Sequence, residues 1–285
     1  MGERFTAACI QMCSTRSVEE NAAHAEDLVR EAAGKGAHYV QTPEMTGLIE
    51  KDRDALFEHI AGEGDDIVLG RLQALAAELG IWLHIGSLAI LVGPERVANR
   101  GFLIDPAGTV RARYDKIHMF DVDLPGGESW RESRTYAPGE AAVAADLPWG
   151  RLGLSICYDL RFPHLYRGLC HDGAQLIAVP AAFTRQTGEA HWHVLLRARA
   201  IENGAFVIAA AQGGLHEDGR ETYGHSLIVD PWGAVLAEVD HDRPGVALAE
   251  IDPEAVKTAR GRIPSLANER AFAQAGADAG LRSVS

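Results

Sequence analysis

The chain has 285 residues, 47% of them hydrophobic, and a formal net charge of -13 at pH 7. This length can hold one large α/β domain or two small ones, and the apolar fraction is ample for a substantial core. Scattered basic residues in an acidic chain argue against a nucleic-acid-binding protein, and an anionic substrate would need a local basic pocket. With no signal-peptide pattern and no apolar run of membrane-spanning length, we expect a cytoplasmic protein and no membrane partner.

The cysteine pattern favours reduced thiols. The four cysteines are Cys9, Cys13, Cys157 and Cys170. Their spacing resembles neither the disulfide framework of a secreted domain nor a paired Cys-x-x-Cys metal site. We therefore expect no disulfide and no cysteine-bound metal.

Strands and helices are predicted to alternate along the chain, in a pattern typical of α/β proteins. The predicted elements, in chain order, are a strand at 5–12, a helix at 18–33, strands at 38–41 and 81–87 around a helix at 67–79, a helix at 163–171, a strand at 175–179, a helix at 189–201, strands at 206–211 and 245–251, and a helix at 253–260. An extended tail follows.

Two segments, 101–110 and 226–235, each predict a strand, an Asp-Pro-x-Gly turn and a returning strand. Such hairpins exclude a wholly parallel sheet and favour a mixed one. No linker divides the chain, so we expect a single domain over residues 1–285.

Cys157 lies where an alternating segment turns toward a proline. In residues 151–157 bulky and small side chains alternate, which predicts a strand whose small-residue face leaves room for a ligand. Pro163 suits the first turn of a helix, so the thiol would lie on a strand-to-helix bend. Taken alone, Cys157 is most simply a buried core residue, because free cysteine is among the most buried residue types.

Two charged residues stand just past predicted strand ends, as Cys157 does. Glu44 follows the strand at 38–41, and Lys116 follows the returning strand of the first hairpin. Sites in α/β sheets collect at the carboxyl ends of strands, so a carboxylate, an ammonium and a thiol could share one crevice. Together they fit acyl transfer through a cysteine nucleophile. Separately, each charge is most simply a solvated surface group.

Three short blocks resemble the signature motifs of the nitrilase superfamily of carbon-nitrogen hydrolases, in the order and at the spacing of that family. They are Pro43-Glu44, Tyr114-x-Lys116-x-His118 and the Cys-Tyr-Asp-Leu-Arg-Phe-Pro run at 157–163. The likeness continues through 183–192, 197–203 and 223–233, so it covers almost the whole chain. Within the superfamily it is similar to the Nit branch, which holds ω-amidase and deaminated glutathione amidase.

The resemblance implies a Glu-Lys-Cys catalytic triad. It assigns Glu44 as general acid and base, Lys116 as the oxyanion and orientation group, and Cys157 as the nucleophile. Tyr158 would contribute its backbone N–H to the oxyanion. A second family glutamate falls within 127–139, where Glu132 matches better than Glu128.

The resemblance also implies one α-β-β-α sandwich domain of two mixed sheets with outer helices, usually in a homodimer. A C-terminal extension at about 262–285 would reach the dimer interface. The implied reaction is hydrolysis of a small carboxylate-bearing amide to an acid and ammonia, with neither metal nor organic cofactor. Deaminated glutathione and an ω-amide such as α-ketoglutaramate are the substrates it favours. Arg161, Phe183 and Thr184 are candidate substrate-binding residues.

Several alternatives remain open at this stage. An N-carbamoyl amino acid hydrolase, a nitrilase and a catalytically silent scaffold share the same motifs. His191 and His193, two apart on a predicted helix, point in different directions and do not form a metal-binding pair. His164 and His193 replace glutamates common among relatives, which changes the charge expected near the pocket. Serine-hydrolase and papain-like signatures are incomplete around Cys157.

Overall fold

The computed structural model describes residues 3–124, 129–275 and 281–283. The helices are α1 (Val18–Gly34), α2 (Arg53–His59), α3 (Ile67–Leu79), α4 (Pro163–His171), α5 (Arg185–Asn203) and α6 (Glu254–Arg262). The strands are β1 (Phe5–Gln11), β2 (Tyr39–Gln41), β3 (Trp82–Gly93), β4 (Arg96–Ile104), β5 (Val110–Asp115), β6 (Asp121–Asp123), β7 (Ser129–Arg131), β8 (Tyr136–Ala137), β9 (Val143–Leu147), β10 (Gly150–Leu154), β11 (Leu176–Ala178), β12 (Phe206–Ala209), β13 (Gly213–Leu215), β14 (Glu221–Tyr223), β15 (Leu227–Val229), β16 (Val235–Glu238), β17 (Gly245–Ile251), β18 (Ala273–Ala275) and β19 (Leu281–Ser283). Within these ranges, no helix is long and apolar enough to cross a membrane.

The first sheet has the strand order β17-β1-β2-β3-β4-β5, with β8 paired to β4. Its strands alternate between two apolar cores, as the period of two requires. Along β1, Ala7 and Cys9 pack toward the second sheet, whereas Ala8 and Ile10 pack against helices α1 and α3. One face of this sheet therefore meets the second sheet and the other is covered by helices.

The second sheet has the order β16-β15-β12-β11-β10-β9. Its central strands β10, β11 and β12 run parallel to one another. Strand β9 pairs antiparallel with β10, β15 pairs antiparallel with β12, and β16 pairs antiparallel with β15. Apolar residues of this sheet share one core with the inner face of the first sheet and with α4 and α5. The predicted α-β-β-α sandwich of two mixed sheets with outer helices is confirmed.

The small-residue face of β10 is packed against helix α4, so the expectation that it leaves room for a ligand is wrong. A Cβ added at Gly153 would lie 3.1 Å from the Cβ of Leu169 on α4. Ser155 is buried, and its Oγ donates to the carbonyl of Ala178 at 2.7 Å. Small residues here allow close approach of a helix, and the ligand space lies beyond the strand end.

Candidate active site

Cys157 begins a short 3₁₀ segment, Cys157–Arg161, and two residues separate it from the end of β10 at Leu154. The strand ends earlier than predicted because the Ile156 N–H donates to the Asp159 carboxylate at 2.8 Å instead of to a neighbouring strand. Cys157 has a φ of 50°, a left-handed conformation that is uncommon for residues other than glycine. Its N–H donates to the Pro180 carbonyl at 2.9 Å, which holds this bend against the next strand connection.

Glu44 lies in the loop after β2, and its carboxylate is buried. The loop presses on β3 because Gly86 has no side chain: a Cβ there would collide with the Thr42 carbonyl oxygen and with Pro180. The Ala182 N–H donates to Glu44 Oε2 at 2.8 Å. This second contact ties the carboxylate to the loop after β11, so both sheets position it.

Lys116 directly follows β5, and its side chain is only 2% exposed. Its Nζ lies 2.8 Å from Glu44 Oε1 and 2.9 Å from Glu132 Oε2. An ammonium buried this deeply needs such partners, because removing a charge from water is costly. The structure therefore brings Lys116, Glu44 and Glu132 into one contact network.

Glu132 comes from the short helical segment that follows the β6–β7 hairpin. Besides Lys116, its carboxylate accepts a hydrogen bond from the Phe120 N–H at 2.6 Å. This contact places the residue favoured by the sequence beside the ammonium. Glu128, the other candidate, falls outside the described residues.

Asn99 on β4 was not identified from the sequence, yet it joins the two glutamates. Its Nδ2 donates to Glu44 Oε1 at 2.9 Å and to Glu132 Oε1 at 3.1 Å. Its Oδ1 has no hydrogen-bond partner in the part of the chain that the structure describes. Strand β4 also contains Arg96 and Arg100, so a polar residue at 99 is no distinctive signal, and it does not reveal a partner 33 or 55 positions away.

Cys157 and Glu44 line the same cavity, and the charge of the carboxylate acts on the pKa of the thiol. Burial raises the pKa of Cys157 well above its ordinary value, and the negative charge of Glu44 adds to this effect while Lys116 opposes it. Burial alone would raise the pKa of Glu44, but the charge and hydrogen bonds of Lys116 and the other donors bring it below the ordinary value. The resting pair is therefore a neutral thiol beside a carboxylate.

Lys116 keeps its proton at neutral pH. Burial would lower its pKa, but the charges of Glu132 and Glu44 outweigh burial and raise the pKa well above the ordinary value. The site thus pairs one fixed cation with two carboxylates and a thiol. A carboxylate that accepts a thiol proton next to a fixed cation has the arrangement required for nucleophilic catalysis.

A cavity of about 960 Å³ opens onto Glu44, Lys116, Glu132 and Cys157. Tyr158, Phe183 and Thr184 also line it, as expected for residues in contact with a substrate. The Thr184 hydroxyl is engaged with that of Thr187 at 2.8 Å. The backbone N–H of Tyr158 lies in the first turn of the 3₁₀ segment, where N–H groups lack intrahelical partners.

Arg161 lies outside the described residues that line this cavity. Its guanidinium lies 5.2 Å from the ring centroid of Phe183, and its Nη1 lies 3.3 Å from Nδ1 of His191. His164 and His193 are not among the described lining residues either, and His193 pairs with Glu238 at 2.7 Å. The two positions at which the resemblance implies glutamates therefore do not line the cavity.

The sequence model of the carbon-nitrogen hydrolase family matches residues 6–261 of the chain. The chain belongs to this family. Its prediction as a carbon-nitrogen hydrolase is therefore confirmed. The chain is 40% identical over 266 residues to the deaminated glutathione amidase of Yersinia enterocolitica, covering 92% of each chain. It is 42% identical over 268 residues to that of Synechocystis sp., covering 92% of this chain and 97% of the relative.

Solved structures of carbon-nitrogen hydrolases share the fold. The Caenorhabditis elegans NitFhit protein superposes with a TM-score of 0.86 at 39% identity, over 95% of this chain and 66% of that protein. A mutant amidase from Nesterenkonia sp. AN1 superposes with a TM-score of 0.80 at 26% identity, over 94% of this chain and 95% of that one. That structure carries the acetamide moiety of fluoroacetamide on its active-site cysteine.

Replacing Asn99 by alanine removes a donor shared by Glu44 and Glu132. Because the pKa of Glu44 lies below its ordinary value, kcat/KM in the wild type should decline only below the ordinary glutamic acid range. In Asn99→Ala we expect this acid limb to move to higher pH and kcat/KM at neutral pH to fall about ten-fold, as for a lost hydrogen bond to a charged group. A pH profile of ammonia release measures both effects.

Asn203→Ala is the matched control for that substitution. Asn203 is also buried, its Nδ2 also donates a hydrogen bond, and its Oδ1 also lacks a partner among the described residues, but it lies at the end of α5. The control should lower stability without moving the acid limb. If the acid limb of the pH profile does not move in Asn99→Ala, Asn99 does not lower the pKa of Glu44.

Proposed function

We propose that the protein is an amidase that hydrolyses the carbon-nitrogen bond of a small linear amide through a thioester on Cys157. The observation that carries the proposal is that Cys157, Glu44 and Lys116 line one cavity, with Lys116 Nζ 2.8 Å from the Glu44 carboxylate. The three groups meet at the wall of a cavity large enough for a small organic acid. This geometry supports a base, a nucleophile and a cation acting on one carbonyl.

In the first half of the proposed reaction, Glu44 takes the thiol proton while the Cys157 sulfur attacks the amide carbonyl. The negative oxygen that develops is held by Lys116 and by the Tyr158 N–H. Glu44 then gives its proton to the amide nitrogen as the carbon-nitrogen bond breaks. The leaving group departs as ammonia from a primary amide, or as an amine from deaminated glutathione, and an acyl group remains on the sulfur as a thioester.

In the second half, a water molecule takes the place of the departed ammonia or amine. Glu44 accepts a proton from this water as its oxygen attacks the thioester carbonyl, and the same cation and N–H hold the second oxyanion. Cleavage of the carbon-sulfur bond releases the acid, and Glu44 returns the proton to the sulfur. Glu132 contacts Lys116 throughout and positions its ammonium.

We propose deaminated glutathione, or an ω-amide such as α-ketoglutaramate, as the substrate. The support is the identity of about 40% with deaminated glutathione amidases over nine tenths of the chain. The mutant Nesterenkonia amidase, whose active-site cysteine carries the acetamide moiety of fluoroacetamide, supports a cysteine that acts as a nucleophile. An N-carbamoyl amino acid hydrolase or a nitrilase of the same superfamily is the second candidate.

Release of the leaving group tests this proposal directly. The protein is incubated with deaminated glutathione, α-ketoglutaramate, an N-carbamoyl amino acid and a nitrile. Chromatography measures the cysteinylglycine released from deaminated glutathione, an ammonia assay covers the other three compounds, and intact-mass spectrometry follows the Cys157 adduct. We expect the highest kcat/KM for one of the two amides, together with a transient acyl adduct. Dominant nitrile turnover would reject the amidase assignment, and a lack of both turnover and adduct would support a silent scaffold.

We also propose that residues 1–285 form one domain in a cytoplasmic homodimer, with the segment from about 262 onward at the interface. The family match ends at residue 261, which supports a separate role for the following segment. Light scattering coupled to size exclusion measures the mass of the assembly. A monomer at micromolar concentration would contradict the dimer.

A further inference from the structure

The cavity carries more positive charge than the proposed reaction uses. Its described lining includes the cations Lys51, Arg53, Lys116, Arg131, Arg134 and Arg220 and the carboxylates Glu44, Glu50 and Glu132. Glu44, Glu132 and Lys116 form the contact network, and Glu50 is paired with Arg16. Five cations therefore surround the entrance of a chain whose net charge is -13. A local field of this sign attracts and orients an anionic substrate.

Four of these five cations are exposed or have a partner. Arg131 is paired with Asp123 at 2.8 Å, and Arg53 lies over the ring of Phe57. Lys51 and Arg134 are exposed. Charges in such positions are well hydrated and contribute little to binding a single ligand.

Arg220 differs from the other four in burial and in unused hydrogen-bonding capacity. Its side chain is 17% exposed, and its guanidinium lies 4.6 Å from the ring centroid of Trp130. The ion pair with Asp218, at 3.6 Å, is too long for a hydrogen bond, and the buried Nε has no partner within residues 3–124, 129–275 and 281–283. A guanidinium held on an aromatic ring with free N–H groups matches the geometry of a carboxylate.

The backbone around Arg220 is fixed by the turn between β13 and β14, in which His216 and Asp218 are buried. The His216 N–H donates to the Arg220 carbonyl at 2.8 Å, and the Arg220 N–H donates to Asp218 Oδ1 at 2.8 Å. The His216 ring contacts the Thr222 hydroxyl at 2.7 Å. Holding the turn in advance lowers the entropy lost when the guanidinium binds a ligand.

Tyr136 lines the same cavity as Arg220 and the reacting groups. Its hydroxyl donates to Met45 Sδ at 3.9 Å, and its ring lines the same cavity. Burial and the charge of Glu132 raise the pKa of Tyr136, whereas the positive charge of Arg220 opposes that rise. Cys157, Tyr136 and Arg220 line the same cavity of about 960 Å³, so one small ligand can contact both Cys157 and Arg220.

We infer that Arg220 binds a carboxylate at the end of the substrate remote from the reacting amide and so selects anionic amides. This inference rests on the proposed amidase function and names the residue that determines its substrate class. Trp130 orients the guanidinium, and the remaining cations of the entrance raise the local concentration of the anion. Arg220 is a specificity-determining residue and takes no part in proton transfer.

Two amides of equal length separate charge recognition from catalysis. Glutaramate carries a carboxylate at its far end, and 5-hydroxypentanamide carries a neutral hydroxyl there. In Arg220→Gln we expect kcat/KM for glutaramate to fall about 10- to 100-fold, mainly through KM, as for the loss of hydrogen bonds to a charged group. The hydroxyl amide should change less than three-fold, and Arg220→Lys should recover part of the loss.

Arg111→Gln is the control variant, because Arg111 is an exposed arginine that does not line the cavity. It should leave kcat/KM for both amides unchanged. Equal losses on the two amides in Arg220→Gln would indicate a structural role and overturn the inference, as would no loss on either. If the wild type releases no ammonia from any amide, the proposed function itself fails, which is a different result.

Binding to the inactive protein gives a second readout that needs no turnover. In a Cys157→Ala background, calorimetry with glutarate measures affinity for a dicarboxylate. Adding Arg220→Gln should raise Kd about 10-fold or more. An unchanged Kd would overturn the role of Arg220 even if activity had been lost through poor folding.

Discussion

Cys157→Ala is expected to abolish ammonia release and acyl-adduct formation while leaving the fold intact. The substitution removes the sulfur that forms the thioester, and loss of a catalytic nucleophile lowers kcat by up to about 10⁶-fold. Alanine keeps a Cβ at the left-handed position of residue 157, so the backbone strain there is unchanged. Ammonia release and intact-mass spectrometry provide the two readouts, and circular dichroism checks the fold.

Cys170→Ala is the matched control for this prediction. Cys170 is another buried thiol, on helix α4, where burial raises its pKa to about 11. It does not line the cavity in the described part of the chain. Cys170→Ala should retain kcat and lower only the free energy of unfolding, because packing contacts are lost. Substantial turnover by Cys157→Ala would exclude a thioester on that residue.

Lys116→Met is expected to reduce both activity and stability. Removing an oxyanion donor costs about 10²–10³ in kcat. The substitution also leaves the Glu44 and Glu132 carboxylates without the cation that lies within 3.1 Å of both. Breaking a buried ion pair on one side destabilises a protein by about 3–5 kcal/mol. Steady-state kinetics and chemical denaturation measure the two losses.

A second substitution separates these two effects. Glu132→Gln in the Lys116→Met background removes one of the two uncompensated charges. We expect the double variant to regain part of the lost free energy of unfolding but none of the activity. Recovery of activity together with stability would mean that Lys116 acts only by holding the fold.

The electrostatic network explains how a thiol with a raised pKa can still act as a nucleophile. A carboxylate held ionised by Lys116 and Asn99 lines the same cavity as the sulfur, so the proton can leave as attack begins. The resting enzyme then carries a neutral thiol, which resists oxidation better than a thiolate. Proton transfer is confined to the moment when an electrophile is present.

Local sequence patterns were sufficient to predict most of the longer helices and strands. The bounds of α3, Ile67–Leu79, follow from apolar spacing and the glycine after it, and those of α4, Pro163–His171, follow from its proline. The hairpins at 101–110 and 226–235 follow from their turn residues. Helix α2 and the hairpins β6–β7 and β13–β14 were not predicted, because short elements carry too few residues for a period to emerge.

The residue patterns by themselves determined an α/β fold with a mixed sheet. The motif resemblance added the sandwich and directed attention to Glu44, Lys116, Glu132 and Cys157. Only the tertiary structure decided that Asn99 joins the two glutamates, that Arg161 lies off the cavity, and that Arg220 lies on it. The tertiary structure also showed that the small-residue face of β10, which was predicted to leave room for a ligand, packs against helix α4. Local periodicity reports which way a side chain faces, whereas contacts across 30 or more positions depend on strand register and loop packing, which no single segment encodes.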